Sequence, residues 1–90
     1  MKRKNLIQQL NNVKWDFFIS TATDVGFIVT KLSSGSHYAV RKKDIPVEDV
    51  RGVITTVFDG MSRQVKIKVV KAFIRAGANE DDIWRGLKLL

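Results

Sequence analysis

A single histidine, His37, is the one side chain here whose ordinary titration range suits proton transfer near neutral pH. It stands in Gly35-Ser36-His37-Tyr38, between two short β-like runs, Phe27 to Leu32 and Tyr38 to Arg41. Cysteine is absent, which excludes thiol chemistry and thiolate-ligated metal. With one histidine, a metal would have to rely on carboxylates. Asp81 and Asp82 are better explained as first-turn residues of a helix, where carboxylates suit the dipole. No phosphate-binding glycine loop of the nucleotide-binding type is present. No metal or other cofactor is therefore expected. A lone histidine opening a strand is also an ordinary surface residue, so its position alone does not make it catalytic.

Charge is the second chemical feature. Sixteen Lys and Arg against nine Asp and Glu give a formal net charge of +7. Residues 1–45 hold eight basic and three acidic groups, and residues 46–90 hold eight and six. Such a field attracts polyanions, of which nucleic acid is the commonest in a cell. The competing reading is a basic surface that only keeps a small protein soluble.

These residues need a frame. Ninety residues make one domain with a single core of two packed layers. Leu6, Ile7, Leu10 and Val13 recur at helical spacing behind the basic cluster Lys2, Arg3 and Lys4. From Trp15 the apolar stripe moves around the wheel to Phe18, Ile19, Ala22 and Val25. One straight helix cannot bury both stripes, so a break is expected near Asn11-Asn12. This gives a helical arm over residues 1–13, then a domain over 14–90. The second helix runs from about Lys14 to Val25 and ends at Gly26.

Phe27 to Leu32 reads as a strand, Ser33 to Ser36 as a turn, and His37 to Lys42 as the returning strand. Alternation puts Tyr38 and Val40 on one face, and His37, Ala39 and Arg41 on the other. Ala39 would leave open space for a phosphate between His37 and Arg41. Lys43 to Val50 is a polar connection with the only proline, Pro46. Val53 to Phe58 is rich in β-branched residues and reads as a third strand. Val47, Val50, Ile54, Val57 and Phe58 also fit one face of a helix, which β-branched crowding and Gly52 disfavour.

Arg63 to Ala76 is the clearest amphipathic helix. Lys66 falls inside its apolar arc and is expected to reach out to solvent from the first turn. Gly77 closes that helix. Asn79 is a fitting N-cap for a last one carrying Ile83, Trp84, Leu87 and Leu90. Trp15 and Trp84 occupy apolar helix positions and read as core. The class is α+β: a three-stranded antiparallel sheet with its main helices on one face, plus short helices at both ends.

Three blocks in this order resemble the HicA toxins, a family of small RNA-cleaving proteins with a double-stranded-RNA-binding-domain-like fold. The first block is Asp24-Val25-Gly26-Phe27-Ile28-Val29, a helix running through glycine into a strand. The second is Gly35-Ser36-His37-Tyr38-Ala39-Val40. The third is Ile54 to Gly60, followed by a helix ending Ala72-Phe73-Ile74-Arg75-Ala76-Gly77. The match covers roughly residues 15 to 88. Several features depart from the family pattern. The hairpin is about one residue longer and Lys43 to Val50 is inserted. Tyr38 stands where a second histidine or bulky residue is frequent. Ser62-Arg63-Gln64 replaces a Lys-Pro-Gly step, and the N-terminal arm is extra.

The resemblance implies that His37 is the catalytic residue of a metal-independent endoribonuclease (an mRNA interferase toxin) with a cognate antitoxin as partner. The chemistry is attack of an RNA 2′-hydroxyl on the adjacent phosphorus. It needs a base, a proton donor for the leaving oxygen, and cations for the developing charge. One imidazole cannot fill both proton roles in a concerted step, so Tyr38, Ser36, a lysine or water must help. Lys31, Ser36, Arg41 and Lys42 are placed to hold the RNA backbone near the hairpin. Lys68, Lys71 and Arg75 extend that track, although this stripe also reads as a solvated helix face.

Two other readings stand beside this one. The second reading is a non-catalytic RNA-binding module on the same scaffold. The third reading is a small protein-interaction regulator whose N-terminal stripe docks a partner or a second copy. The absence of disulfides, of a bilayer-length apolar run and of a signal-peptide pattern points to the cytoplasm.

Overall fold

The computed structural model describes residues 3–32, 37–46 and 48–90. Helix α1 spans Arg3–Gln9 and tightens into a 3₁₀ turn at Leu10–Asn12. Helix α2 spans Trp15–Asp24. Strands β1 (Ile28–Lys31) and β2 (His37–Arg41) follow. A second 3₁₀ turn, Val50–Gly52, leads into β3 (Val53–Phe58), then α3 (Arg63–Arg75) and α4 (Glu80–Gly86). The protein is thus α+β: the described residues form a three-stranded antiparallel sheet in the order β1-β2-β3 and four α-helices. Among the described residues, no helix is long and apolar enough to cross a membrane.

The helix boundaries have local causes. At the end of α2, Gly26 adopts φ +97°, open to glycine at little steric cost. The Phe27 N–H then reaches back to the Ala22 carbonyl at 2.9 Å, and the Gly26 N–H to that of Thr23. Gly77, at φ +106°, closes α3 in the same way. At the other ends, Ser62 Oγ accepts the Val65 N–H and Asn79 Oδ1 accepts the Asp82 N–H.

Residues 5–13 do not form a free arm. Leu6, Leu10 and Val13 are buried in the same core as Phe18, Val40, Val57, Phe73, Ile83 and Trp84. The stripe that could have docked a second copy is spent inside the chain. Lys66 departs from the expectation of a solvent-reaching side chain. It is buried, and its Nζ donates to the Asn11 carbonyl at 3.3 Å, tying α3 to the turn after α1. Burial lowers its pKa from the ordinary value.

Register fixes which sheet residues share a face. Val29 lies opposite Val40, and Tyr38 opposite Val57. Val40 and Val57 are fully buried, and Tyr38 stacks on Trp15 at the start of α2. This is the helix-covered face. The other face carries Ile28, Thr30, His37, Ala39, Thr56 and Phe58. Arg41 pairs with Val53 while Val40 pairs with Thr55, so Ile54 is an extra residue, a β-bulge that bends the edge strand.

Candidate functional site

His37 opens β2 on the helix-free face. It is half-buried, and its ring stacks on that of Phe58, its register partner, with centroids 5.0 Å apart and planes at 28°. The ring is therefore at the rim of the sheet and outside the sealed core. Ser36 and the turn before it lie outside the described residues. Lys31 ends β1 opposite Tyr38 and is exposed. Tyr38, weighed above as a proton donor, points to the opposite face from His37 and stacks on Trp15 at 5.5 Å.

Arg41 has a task other than the expected one. It shares the His37 face by alternation but is only 6% exposed. Its Nη2 donates to the carbonyls of Pro46 at 3.0 Å and Asp49 at 2.8 Å. Ala39, expected to leave an opening, is itself buried. The physical reason is the 42–52 connection. It returns to pair with the strand end, the Lys42 N–H meeting the Gly52 carbonyl at 2.9 Å, and the guanidinium is consumed in holding it.

The connection also carries a residue the sequence reading passed over. Arg51 donates from Nε and Nη2 to the Asp49 carboxylate, the closest contact being 2.8 Å. These bonds, with the Arg51 backbone N–H, hold the Asp49 carboxyl below its ordinary pKa. Arg51 itself is exposed and lines a groove of about 230 Å³ with Lys42, Val53, Ile54, Ala72, Arg75 and Ala76. So the structure brings Lys42 and Arg75 together and adds Arg51 to them. The only signal for Arg51 lay in the pairing of Lys42 with Gly52, which alternation within single strands does not reveal.

The remaining cations divide. Lys68 and Lys71 are exposed on α3. Lys71 borders Ile7, Leu10, Ile67, Val70 and Trp84, toward α1 and α4 rather than the groove. His37 and the groove lie at opposite ends of the sheet. The five residue-to-residue steps from His37 to Lys42 correspond to about 16 Å of extended chain. Among the described residues, no group of three or more His, Asp or Glu side chains is gathered as a metal site would require.

No family model, curated protein or solved structure matches this chain.

Proposed function

We propose that this protein is a HicA-like, metal-independent endoribonuclease on a double-stranded-RNA-binding-domain-like frame, with His37 as its catalytic residue. The observation that carries the reading is the placement of His37: a half-buried imidazole at the rim of the helix-free sheet face. The order α2-β1-β2-β3-α3 and the net charge of +7 agree with it.

The chemistry follows from that placement. Neutral His37 accepts the proton of an RNA 2′-hydroxyl. The freed oxygen attacks the neighbouring phosphorus as the bond to the 5′-oxygen breaks. Water supplies the proton for the leaving oxygen. The products are a 2′,3′-cyclic phosphate and a 5′-hydroxyl, with no net change in atoms. A single positioned base contributes about 10²–10⁴-fold, so a slow enzyme is expected. The cytoplasm is its site of action, and an antitoxin is the partner that would restrain it.

The test is incubation with RNA in the presence of a chelator. The parent is expected to yield cyclic-phosphate ends, and His37→Ala to yield none while keeping its circular dichroism and melting profile. Equal cleavage by the variant rejects the assignment.

One observation favours a second reading, a non-catalytic RNA-binding module. The burial of Arg41 removes the expected cation from beside His37. That reading predicts salt-sensitive RNA binding with no products over time.

A further inference from the structure

We propose that the groove between the start of β3 and the last turn of α3 binds an RNA backbone phosphate through Lys42, Arg51 and Arg75. This rests on the reading above that RNA is the ligand, and it places a second contact away from His37.

Three cations from two segments converge there: Lys42 and Arg51 near the two ends of the 42–52 connection, and Arg75 in the last turn of α3. Among the described residues that line the groove none is acidic, and the nearest carboxylate named, that of Asp49, is paired with Arg51. Its floor is small and apolar, with Ala72 and Ala76 on the helix side, so a ligand can approach the backbone closely. The cavity, about 230 Å³, has room for a phosphate and part of a sugar.

The cation arrangement is held before any ligand arrives. Buried Arg41 grips the Asp49 carbonyl, the Asp49 carboxylate grips Arg51 Nε and Nη2, and the Arg51 N–H closes on Asp49 Oδ1 at 2.9 Å. The Arg51 side chain is 86% exposed, and its Nη1 takes no part in the bonds to Asp49. A guanidinium fixed in this way loses less freedom on meeting a phosphate than a solvated lysine does.

The negative end of α3 is the obvious objection. Its last carbonyls are already occupied: Ala72 by the Ala76 N–H, Phe73 by Ala78 and Ile74 by Gly77. Arg75 in the final turn offsets the residual dipole. The cations therefore dominate the groove.

RNA is favoured over an acidic protein by the net charge of +7. The groove opens on the α3 side of the sheet, at the far end of β2 from His37 and on the opposite face, so it is a contact separate from the one at His37. A phosphate here would set the register of the RNA strand without reading its sequence.

The test is fluorescence anisotropy on the full chain with a 2′-O-methyl single-stranded RNA, which binds but cannot be cut. Arg51→Gln/Arg75→Gln is compared with Arg85→Gln/Lys88→Gln, which removes the same charge elsewhere on the exposed surface. The groove pair is expected to weaken binding roughly tenfold and to flatten the salt slope by about one per lost contact. The control pair is expected to do much less. Equal losses in both pairs overturn the proposal, since net charge alone would then explain binding. So does RNA binding that survives in the groove pair while binding of a polyglutamate peptide is lost. Cleavage of unmodified RNA is read in parallel. A groove effect without parental cleavage rejects only the nuclease reading. Parental cleavage without a groove effect rejects only the groove.

Discussion

The ring of His37 rests on the ring of Phe58, directly across the antiparallel register, with 5.0 Å between centroids. Phe58 thus limits the orientations open to the imidazole and acts, in the proposed reaction, as a positioning residue. Phe58→Leu keeps an apolar side chain but removes the flat support. It is expected to lower kcat for RNA cleavage roughly tenfold through misplacement of the base, with RNA affinity unchanged. Phe58→Tyr restores the ring and is expected to rescue most of the rate. A loss in affinity with kcat intact would show that Phe58 serves binding instead.

Arg41 separates a structural role from a binding one. Arg41→Ala takes the guanidinium away from the Pro46 and Asp49 carbonyls, which keep only the Asp49 and Gly52 N–H groups, and loosens the 42–52 connection. A loss of about 2–3 kcal/mol in urea unfolding is expected, as for unmade hydrogen bonds to a charged group. Arg41→Lys should recover little, because one ammonium does not reproduce the fork. Were Arg41 a surface RNA contact, stability would be unchanged.

Lys66 gives a pH signature. Its folded pKa lies below its ordinary value of 10.5 because burial penalises the charged form. Wherever both folded and unfolded chains hold the proton, the folded state bears the penalty in full. As pH rises from the depressed folded value toward 10.5, the unfolded chain holds more protons, so this contribution to stability improves. Lys66→Met is expected to raise the melting temperature at pH 7 by about 4–8 °C, equivalent to about 1 kcal/mol, and by less near pH 10. A gain independent of pH would sink the account.

Gly86 tests the contact between α2 and α4. A β-carbon there would stand 2.5 Å from Thr21 Oγ1 and 2.9 Å from its Cγ2. Thr21 is fully buried and has no room to yield. Gly86→Ala is expected to destabilise by about 1–3 kcal/mol through overpacking, despite the better helix propensity of alanine. Thermal melts of the two proteins check this, and a stabilised variant would refute it.

Local chemistry made much of the frame legible. The turn of the wheel between Leu10 and Trp15 revealed a break, and Gly26, Gly77 and Asn79 marked helix ends that the backbone confirms. Val53 to Phe58 is a strand, because β-branched crowding outweighed the helical spacing of Ile54, Val57 and Phe58. Alternation correctly separated Tyr38 and Val40 from His37 and Ala39. What alternation could not give was the path of the 42–52 connection, which is long-range information. That path buries Arg41, raises Arg51 and creates the groove. Lys66 was opaque for a related reason: its partner, Asn11, is distant in sequence and acts through its backbone.

The stack of Trp15 on Tyr38 gives this molecule an optical reporter. Its other indole, Trp84, is sealed in the interior and bonded to Glu80, so solutes have little access to it. Trp15 is half-exposed and adjoins the strand that begins with His37. Emission changes on adding ligand therefore originate mainly from one fluorophore, beside the residue of greatest interest, without any extrinsic label.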